Sequence, residues 1–251
     1  MPTLSLKSRS GLRFIWLEET ASTNDYLRLH SKEMQDPITL ALAEYQTKGR
    51  GATGAWQSER GANLLFSLLT HPTTVEAKDI FLLSQMACLS VCRGLETLSK
   101  GFTIKWPNDI YWRDGKVVGI LIENELQGRR VADCVVGIGV NVNQRSFGKE
   151  LPNPTSLAII EGRELDRTLV LEAIVEEFSS LYTALCEGDH EGIREGYLKR
   201  LYRRGERHAF CDSRGEFMAT LETVEPTGHI VLRDDEGRWR RYAFKEVQHI
   251  I

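Results

Sequence analysis

Two kinds of hydrophobic spacing alternate along the first part of the chain, and they predict strands and helices in turn. Short apolar runs bounded by polar residues predict strands at residues 12–17, 38–45 and 63–70. From Asp79, which is expected to cap a long helix, apolar side chains recur at helical spacing. Gly101 is expected to end that helix. The pattern therefore predicts a sheet that is covered by at least one long helix.

The middle of the chain predicts a sheet built from hairpins. The pair Asp114-Gly115 is a strong hairpin signal between two apolar runs. Strands are expected at residues 102–106, 110–112, 117–122 and 131–142, and the last of them pairs naturally with 117–122. Two further helical patterns follow near residues 167–185 and 191–201.

The pattern changes at Arg207, after which only short apolar runs remain between turn residues. This spacing is typical of a small β-barrel. We therefore predict an α+β fold with two domains. A mixed central sheet with flanking helices is expected over residues 1–201, and a small β-barrel over residues 202–251.

Composition narrows the class of protein further. The chain has 251 residues, of which 41% are apolar and 27% charged, with a formal net charge of −3. These values are ordinary for a soluble globular protein, and partners such as DNA or anionic membranes usually require a basic excess. The N-terminus does not resemble a signal peptide. The five cysteines are odd in number and form no C-x-x-C motif, which favours reduced thiols and the cytoplasm.

A glycine cluster after the second predicted strand is a candidate anion-binding loop. Three glycines occur between Gly49 and Gly54, and backbone amides without neighbouring Cβ atoms can approach an anion closely. Arg50 within this loop can add a planar, charged contact to a phosphate or carboxylate. The segment contains neither a Walker motif nor a dinucleotide fingerprint. Taken alone, it is also compatible with a surface turn that binds nothing.

A pentapeptide at residues 105–109, Lys-Trp-Pro-Asn-Asp, combines a cation and a carboxylate in one turn. Because Pro107 prevents a regular helix, Asp109 is expected at a bend between two strands. Lys116 lies just past the next hairpin turn. Ordinary turn chemistry and a solvated lysine are the alternative explanations for these residues.

Two further segments have polar or glycine residues where a ligand would need them. Glycines inside the strand at residues 137–141, Gly-Ile-Gly-Val-Asn, often indicate close approach of a ligand, although tight packing explains them equally well. Residues 22–24, Ser-Thr-Asn, precede a predicted short helix, where they can cap it and also present free amides to a polar ligand.

The order and spacing of these segments resemble those of biotin protein ligases. The resemblance runs from about Phe14 to the C-terminus and is densest from Thr20 to Asn141. The related lipoate ligases lack the full pairing of Lys-Trp-Pro-Asn-Asp with Gly-Arg-Gly. The resemblance implies the catalytic fold shared by biotin and lipoate ligases, followed by an SH3-like C-terminal domain that helps to close the site and to receive the partner protein.

The resemblance also implies which residues bind the substrates. The ureido ring of biotin and its neighbouring atoms would be held by Ser22, Thr23, Asn24 and Gln46. The adenylate-binding loop would contain Gly49, Arg50, Gly51 and Ala52, and Trp56 would flank it. The walls of the pocket would be lined by Gly119, Gly137, Gly139 and Asn141.

A second group of positions matches the family's catalytic and metal-binding residues. Lys105 matches a cation of the phosphate site, and Lys116 matches the lysine that contacts the biotin carboxylate and the acyl-phosphate. Asn63 and Asp109 match positions near the nucleotide phosphates and Mg²⁺. The expected catalytic residues are therefore Arg50, Lys105, Asp109 and Lys116.

The activity implied by the resemblance is ATP-dependent biotinylation. Biotin would be activated as biotinyl-5′-adenylate, with Mg²⁺, and transferred to a lysine of a biotin carboxyl carrier protein or domain. Only 21 residues precede Ser22, so we expect the short type without a DNA-binding domain, acting on neither DNA nor membranes. A homodimer is compatible with this interpretation.

Three other functions remain open at this point. The first is a lipoate or other acyl protein ligase on the same fold. The second is a non-catalytic protein that binds biotin or a nucleotide in the same pocket, although the cations at Arg50, Lys105 and Lys116 argue against it. The third is a nucleic-acid-binding module, which the acidic net charge argues against.

The glycine loop departs from the family pattern. Ala52 and Ala55 stand where arginine is common, and the stretch before Trp56 is one residue shorter. A charged hydrogen bond to the adenylate phosphate is therefore missing at position 52. We expect Ala52→Arg to slow the release of pre-formed biotinyl-adenylate, which stopped-flow measurements on the two proteins would detect.

Overall fold

The computed structural model describes residues 10–51, 54–149 and 151–251. The first part of the chain forms a seven-stranded sheet in the order β1-β2-β3-β7-β6-β5-β4. Its strands are β1 Leu12–Thr20, β2 Ile38–Gln46, β3 Leu64–Thr70, β4 Phe102–Lys105, β5 Asp109–Trp112, β6 Gly115–Gln127 and β7 Arg130–Val140. Only the β1–β2 pair is parallel, so the prediction of a mixed central sheet is confirmed.

Five α-helices lie in the described part of the chain: α1 Thr23–His30, α2 Phe81–Glu96, α3 Leu157–Glu161, α4 Arg167–Glu187 and α5 His190–Lys199. Helix α2 is buried along most of its length and packs between the sheet and helices α4 and α5. The core is therefore a continuous apolar layer between the sheet and these helices. None of the helices described is both long and apolar enough to cross a membrane.

The prediction that Asp79 caps the long helix is wrong. Asp79 lies in a separate 3₁₀ turn, Ala77–Asp79, and its carboxylate pairs with Arg194 of α5 at 3.3 Å. The residue that precedes α2 is Ile80, which offers no side-chain cap. The helix also ends at Glu96, before Gly101, which instead takes a φ of +92° in the turn that leads into β4.

Gly94 sets how closely α2 and α4 approach each other. A Cβ atom at Gly94 would lie 2.7 Å from the Cα atom of Ile174, which is backbone and cannot rotate away. We expect Gly94→Ala to lower the free energy of unfolding by about 1–3 kcal/mol, as overpacking does. Urea denaturation would measure the change.

Gly196→Ala is the matched control for this prediction. A Cβ atom at Gly196 would lie 2.7 Å from a methyl carbon of Leu89, which can move. Alanine also favours a helix over glycine, so we expect a change smaller than about 1 kcal/mol. Equal midpoints for the two variants would show that backbone contact does not limit the packing of α2 against α4.

The C-terminal part of the chain forms a separate five-stranded antiparallel sheet. Its strands are β8 Arg207–Asp212, β9 Gly215–Val224, β10 Ile230–Asp234, β11 Trp239–Tyr242 and β12 Val247–His249, in the order β11-β10-β9-β8-β12. This arrangement agrees with the predicted small SH3-like domain. The indole N–H of Trp106 donates to the carbonyl of Gly228 at 2.9 Å, and Phe244 packs edge-on against the same indole. The second sheet therefore lies against the turn that follows β4.

Candidate active site

The segments that the sequence singled out meet at one cavity beside the start of α1. Its floor comes from the sheet, where Leu121 lies on the cavity face, whereas Phe66, Ile120 and Ile138 border the cavity but bury their side chains in the core on the other face. The predicted site residues that line it are Ser22, Thr23, Asn24, Gln46, Arg50, Gly51, Trp56, Asp109, Lys116, Gly119, Gly137 and Gly139. A cavity into which a few polar groups converge suits a small organic ligand.

The start of α1 carries two polar side chains into this cavity. The hydroxyl of Ser22 caps the helix by accepting the backbone N–H of Asp25 at 3.4 Å. Thr23 and Asn24 consequently lie in the first turn, where they are only 2% and 3% exposed. The backbone N–H of Thr23 donates to Oε1 of Gln46 at 2.7 Å, which ties the helix to the end of β2. Capping and a polar pocket therefore coexist at these residues.

A buried hydrogen-bond network extends from Thr23 across the sheet. Its Oγ1 atom lies 2.6 Å from Oγ of Ser67, which in turn donates to Oδ1 of Asn24 at 2.6 Å. Nδ2 of Asn24 donates to Oε2 of Glu123 at 2.8 Å. A Cβ atom at Gly137 would overlap Oδ1 of Asn24. The absence of a side chain at Gly137 thus makes room for the Asn24 amide.

Arg50 lies at the rim of the cavity between two carboxylates. One guanidinium nitrogen approaches Asp25 Oδ1 at 2.6 Å and Glu123 Oε2 at 3.1 Å. Glu123 also accepts from Arg28 at 3.0 Å. The loop arginine that was predicted to contact an adenylate is therefore neutralised by protein carboxylates, and its contact with a phosphate stays a prediction.

The indole of Trp56 lies on a patch of sheet that carries no side chains. Gly119 of β6 and Gly139 of β7 are directly opposite each other in the ladder. A Cβ atom at Gly119 would lie 2.5 Å from Cζ3 of Trp56, and one at Gly139 would lie 2.7 Å from its Nε1. Among the described residues, the buried Nε1–H of Trp56 has no hydrogen-bond acceptor. The patch therefore accepts a flat ring, and the indole keeps one unused donor.

Lys116 and Asp109 mark the other end of the cavity, and a second lysine, Lys105, lies beside them but outside it. Nζ of Lys116 pairs with Oδ1 of Asp109 at 2.7 Å. Lys105 stands opposite Asp109 in the β4–β5 ladder, and its Nζ lies 5.4 Å from the ring centre of Tyr111. Burial lowers the pKa of Lys105, and the opposing effect of Asp109 is smaller. The bend predicted from Pro107 is confirmed, and it brings opposite charges together beside the cavity.

A wider cleft continues beyond Lys116 and Asp109, between the two sheets. One wall is the segment 151–154, which is held to Lys116 through a backbone hydrogen bond from its N–H to the carbonyl of Asn153 at 2.7 Å. The opposite wall comes from the C-terminal domain and includes Phe244, Val247 and His249. Burial, aided by nearby cations, lowers the pKa of His249 to about 3, so its ring is neutral at pH 7.

Asn63 and Asn141 differ in how they relate to these cavities. Asn141 lines the cleft, and its side-chain amide donates to the carbonyl of Thr155 at 3.0 Å. Asn63 lines neither cavity, because its Oδ1 accepts the backbone N–H of Val142 at 2.9 Å and its Nδ2 donates to Gln144 at 2.6 Å. This geometry does not fit the predicted place of Asn63 at a metal or phosphate; it holds the loop after β7.

Three further predicted positions complete the comparison with the sequence. Lys105 lines the wider cleft and not the inner cavity. Gly49 supports the loop from outside the inner cavity, where a Cβ atom would lie 3.0 Å from the carbonyl oxygen of Trp56. Ala52 lies outside the described residues. In the described part of the chain, no group of three or more His, Cys, Asp or Glu side chains is placed to hold a metal ion.

Sequence reasoning missed two members of the polar network. Ser67 is fully buried in the middle of the apolar run Leu64–Thr70. A lone hydroxyl in such a run needs a hydrogen-bond partner, and this could have pointed to a buried polar network. Glu123 lies in the outer half of β6, in an alternating pattern that is typical of a solvated face. The wall at residues 151–154 carries no periodic pattern and was also missed.

The chain belongs to the biotin/lipoate A/B protein ligase family, whose sequence model matches residues 16–141. Among individual relatives, it is similar to the bifunctional ligase/repressor BirA of Bacillus spizizenii, with 38% identity over 238 residues. That match covers 93% of this chain and 73% of the relative. It is also similar to a biotin--[acetyl-CoA-carboxylase] ligase of Paracoccus denitrificans, with 27% identity over 78% of this chain and 85% of the relative.

Solved structures give the same family assignment. The biotin protein ligase from Aquifex aeolicus, in complex with biotin and ATP, superposes with a TM-score of 0.77 at 30% identity. The match covers 95% of this chain and 98% of that one, so it includes the C-terminal sheet as well as the central one.

Proposed function

We propose that this protein is an ATP-dependent biotin protein ligase. It would activate biotin as biotinyl-5′-adenylate and transfer the biotinyl group to a lysine of a biotin carboxyl carrier protein or domain. The observation that carries the proposal is the junction at Lys116, which lines both the inner cavity and the wider cleft. A carboxylate held in the first and a nucleotide held in the second would meet at this cation.

The inner cavity has the chemistry to hold biotin. A cyclic urea offers two N–H donors and a carbonyl acceptor, and Thr23, Asn24 and Gln46 supply hydrogen-bonding atoms at one end. The indole of Trp56 covers the glycine patch at Gly119 and Gly139, so the fused rings of biotin would pack against this indole or displace it. The carboxylate tail of biotin would then point toward Lys116, which lies where the inner cavity meets the wider cleft.

The first half-reaction joins two anions, so the protein must screen their repulsion. A biotin carboxylate oxygen attacks the α-phosphorus of ATP, and the bond from that phosphorus to the bridging oxygen of pyrophosphate breaks. The carboxylate is ionised at pH 7, so no general base is needed. Lys116, placed by its ion pair with Asp109, would stabilise negative charge on the phosphoryl oxygens, and Lys105 would bind the phosphates from the cleft.

The second half-reaction forms an amide. The neutral amine of the carrier lysine attacks the acyl carbon, the bond from that carbon to the phosphate oxygen breaks, and AMP leaves. The amine must first lose a proton, since a free lysine has a pKa near 10.4. The carrier would approach through the cleft between the two sheets, which is lined by Asp109 and by residues of the C-terminal domain. We include Asp109 as the group that orients the incoming amine.

Mg²⁺ would arrive with ATP as part of the substrate. Both polar atoms of the Asn63 side chain are already hydrogen-bonded within the protein, so a metal site formed by Asn63 and Asp109 does not fit the geometry. Asp109 pairs with Lys116 through Oδ1, so its Oδ2 atom could still bind the metal. Mg²⁺ is commonly held by one or two carboxylates together with substrate phosphates. Its role would be to neutralise phosphate charge.

The domain division proposed from the sequence, at residues 201 and 202, fits this function. Helix α5 ends at Lys199 and the second sheet begins at Arg207, so the boundary falls in the short connection between them. The C-terminal domain would close the nucleotide cleft and present a surface to the carrier.

The first test is exchange of labelled pyrophosphate into ATP. We expect exchange that depends on biotin and needs no acceptor protein, because the cations are already placed beside the cavity. The same assay with lipoate, and without any acid, gives the controls. Exchange that is as fast without biotin, or with lipoate in its place, would remove the biotin assignment. Mass analysis of a biotin carboxyl carrier domain, after incubation with the protein, ATP, Mg²⁺ and biotin, tests the transfer step.

A further inference from the structure

In the polar network around Thr23, each group's role as donor or acceptor is fixed by residues that lie outside the cavity. An ionised carboxylate such as that of Glu123 can only accept hydrogen bonds, and so can the carbonyl oxygen of Leu121. These two acceptors lie 2.8 and 3.3 Å from Nδ2 of Asn24. The amide of Asn24 must therefore keep its NH₂ group toward them and its Oδ1 atom toward Ser67.

The orientation of Asn24 determines the bonds that follow. Because Oδ1 of Asn24 is an acceptor, the single hydroxyl proton of Ser67 is donated to it at 2.6 Å. Oγ of Ser67 must then accept at its 2.6 Å contact with Thr23, since two hydroxyl oxygens do not approach so closely without a proton between them. This contact uses the only side-chain proton of Thr23.

Two acceptor atoms are left side by side at the cavity. Oγ1 of Thr23 and Oε1 of Gln46 lie 3.1 Å apart, so the Thr23 hydroxyl could donate to Gln46 only if its proton were not already given to Ser67. The backbone N–H of Thr23 bonds to that Oε1, but no side-chain proton remains to lie between the two oxygens. Thr23 and Gln46 line the cavity, whereas Ser67 and Glu123 do not. What this pair of oxygens lacks is a donor from a bound molecule.

We propose that Glu123 and Ser67 are positioning residues that make Thr23 and Gln46 an acceptor pair for a ring N–H of the ligand. The inference rests on the proposed function, which supplies an N–H through the ureido ring of biotin. Neither positioning residue touches the ligand. They act by holding the Thr23 proton away from Gln46, so that both oxygens of the pair present lone pairs to the ligand. A ring oxygen in place of the N–H would also present lone pairs, and it would be repelled. A site built to bond an N–H rejects an analogue that lacks it.

The test is calorimetric binding of biotin and of an analogue with a ring oxygen in place of one ureido N–H. Ser67→Ala removes the acceptor for the Thr23 proton, which can then turn to Gln46. We expect biotin to bind about 10-fold more weakly to this variant, as loss of one buried hydrogen bond implies. The preference for biotin over the analogue should fall by a similar factor. In the exchange assay the KM for biotin should rise while kcat stays within about twofold.

Ser90→Ala is the matched control. Ser90 is also fully buried, and its hydroxyl donates to the carbonyl of Ala87 within α2, away from the cavity. The variant makes the same chemical change, so a general effect of losing a buried hydroxyl would appear in it too. We expect its preference for biotin over the analogue to equal that of the unaltered protein.

Glu123→Gln gives an independent arm that keeps the shape of the side chain. An amide at position 123 can donate, so Asn24 can turn over and the network can reverse. We expect the preference for biotin to fall here as well. Asp25→Asn removes the other carboxylate partner of Arg50 and should leave the preference unchanged, which separates the network from the loop arginine.

Two outcomes would overturn the inference. One is an unchanged preference in both Ser67→Ala and Glu123→Gln; the other is an equal loss in Ser90→Ala. A protein that prefers biotin over the analogue, loses that preference in Ser67→Ala, and yet exchanges no pyrophosphate would instead support the network and refute the proposed activity.

Discussion

Replacing Lys116 by alanine is expected to slow biotin-dependent adenylate formation by about 10²–10³, or roughly 3–4 kcal/mol in the barrier, as loss of one preorganised transition-state contact does. Lys116 lies where the inner cavity meets the cleft, and its ammonium is held at 2.7 Å from Asp109. No other cation lines both cavities among the residues described. Single-turnover measurement of adenylate formation would isolate this step from product release.

Lys78→Ala is the matched control for Lys116→Ala. Lys78 also forms an ion pair with a carboxylate, Glu76, at 2.9 Å, but it is 72% exposed and lies away from both cavities. Both variants should keep a cooperative unfolding transition, since ion pairs in contact with solvent add roughly 0–1 kcal/mol to stability. Near-normal adenylation by Lys116→Ala would mean that this lysine is only a surface charge. Lys116→Arg, which keeps the charge, should lose less activity than the alanine variant.

Sequence reasoning located the local features of the site well, because each depends on nearby residues. Pro107 fixes the bend that brings Lys105 and Asp109 into one ladder pair, and the rule that proline cannot continue a helix is sufficient to predict it. The hairpin at Asp114-Gly115 followed from turn chemistry alone, and it places Lys116 on the next strand. The strand that contains Gly137 and Gly139 was likewise predictable, from the apolar run at residues 131–142.

The parts that could not be predicted depend on contacts between distant segments. Glu123 reaches Arg50 across 73 positions of sequence, and only the order of the strands brings the two together. The same is true of Ser67, which bonds to two side chains of α1 and pairs with residues of β2 and β7. For Asp79, a prediction from local sequence was made and was wrong. Helix capping was expected there, but the residue lies in a 3₁₀ turn and forms an ion pair with the distant Arg194.

The sequence also did not show which groups occupy the space beside the strand glycines. Glycine inside a strand predicted close approach of a ligand, and the structure shows two protein groups in that space. Gly137 admits the amide of Asn24, while Gly119 and Gly139 admit the indole of Trp56. These glycines therefore shape the cavity through side chains that stand between them and any ligand, or that a ligand must displace.

Gly139→Ala is expected to weaken biotin binding in both cases, and this is the second-largest effect that we predict. Its Cβ atom would lie 2.7 Å from Nε1 and 2.8 Å from Cζ2 of Trp56, and a rigid indole cannot yield by rotating one bond. We expect biotin to bind about 10- to 100-fold more weakly, which corresponds to the roughly 1–3 kcal/mol that overpacking costs. Isothermal titration with biotin measures this, and thermal unfolding checks that the fold is retained.

A double-mutant cycle with Trp56→Leu shows what the new methyl group collides with. If the indole must stay on the glycine patch when biotin is bound, Trp56→Leu should weaken binding alone, and it should remove most of the further loss caused by Gly139→Ala. If biotin itself takes the patch, Gly139→Ala should weaken binding as strongly in the Trp56→Leu background as in the unaltered protein. Normal biotin affinity in the single variant Gly139→Ala would contradict both cases, because it would show that this face of β7 is not part of the binding site.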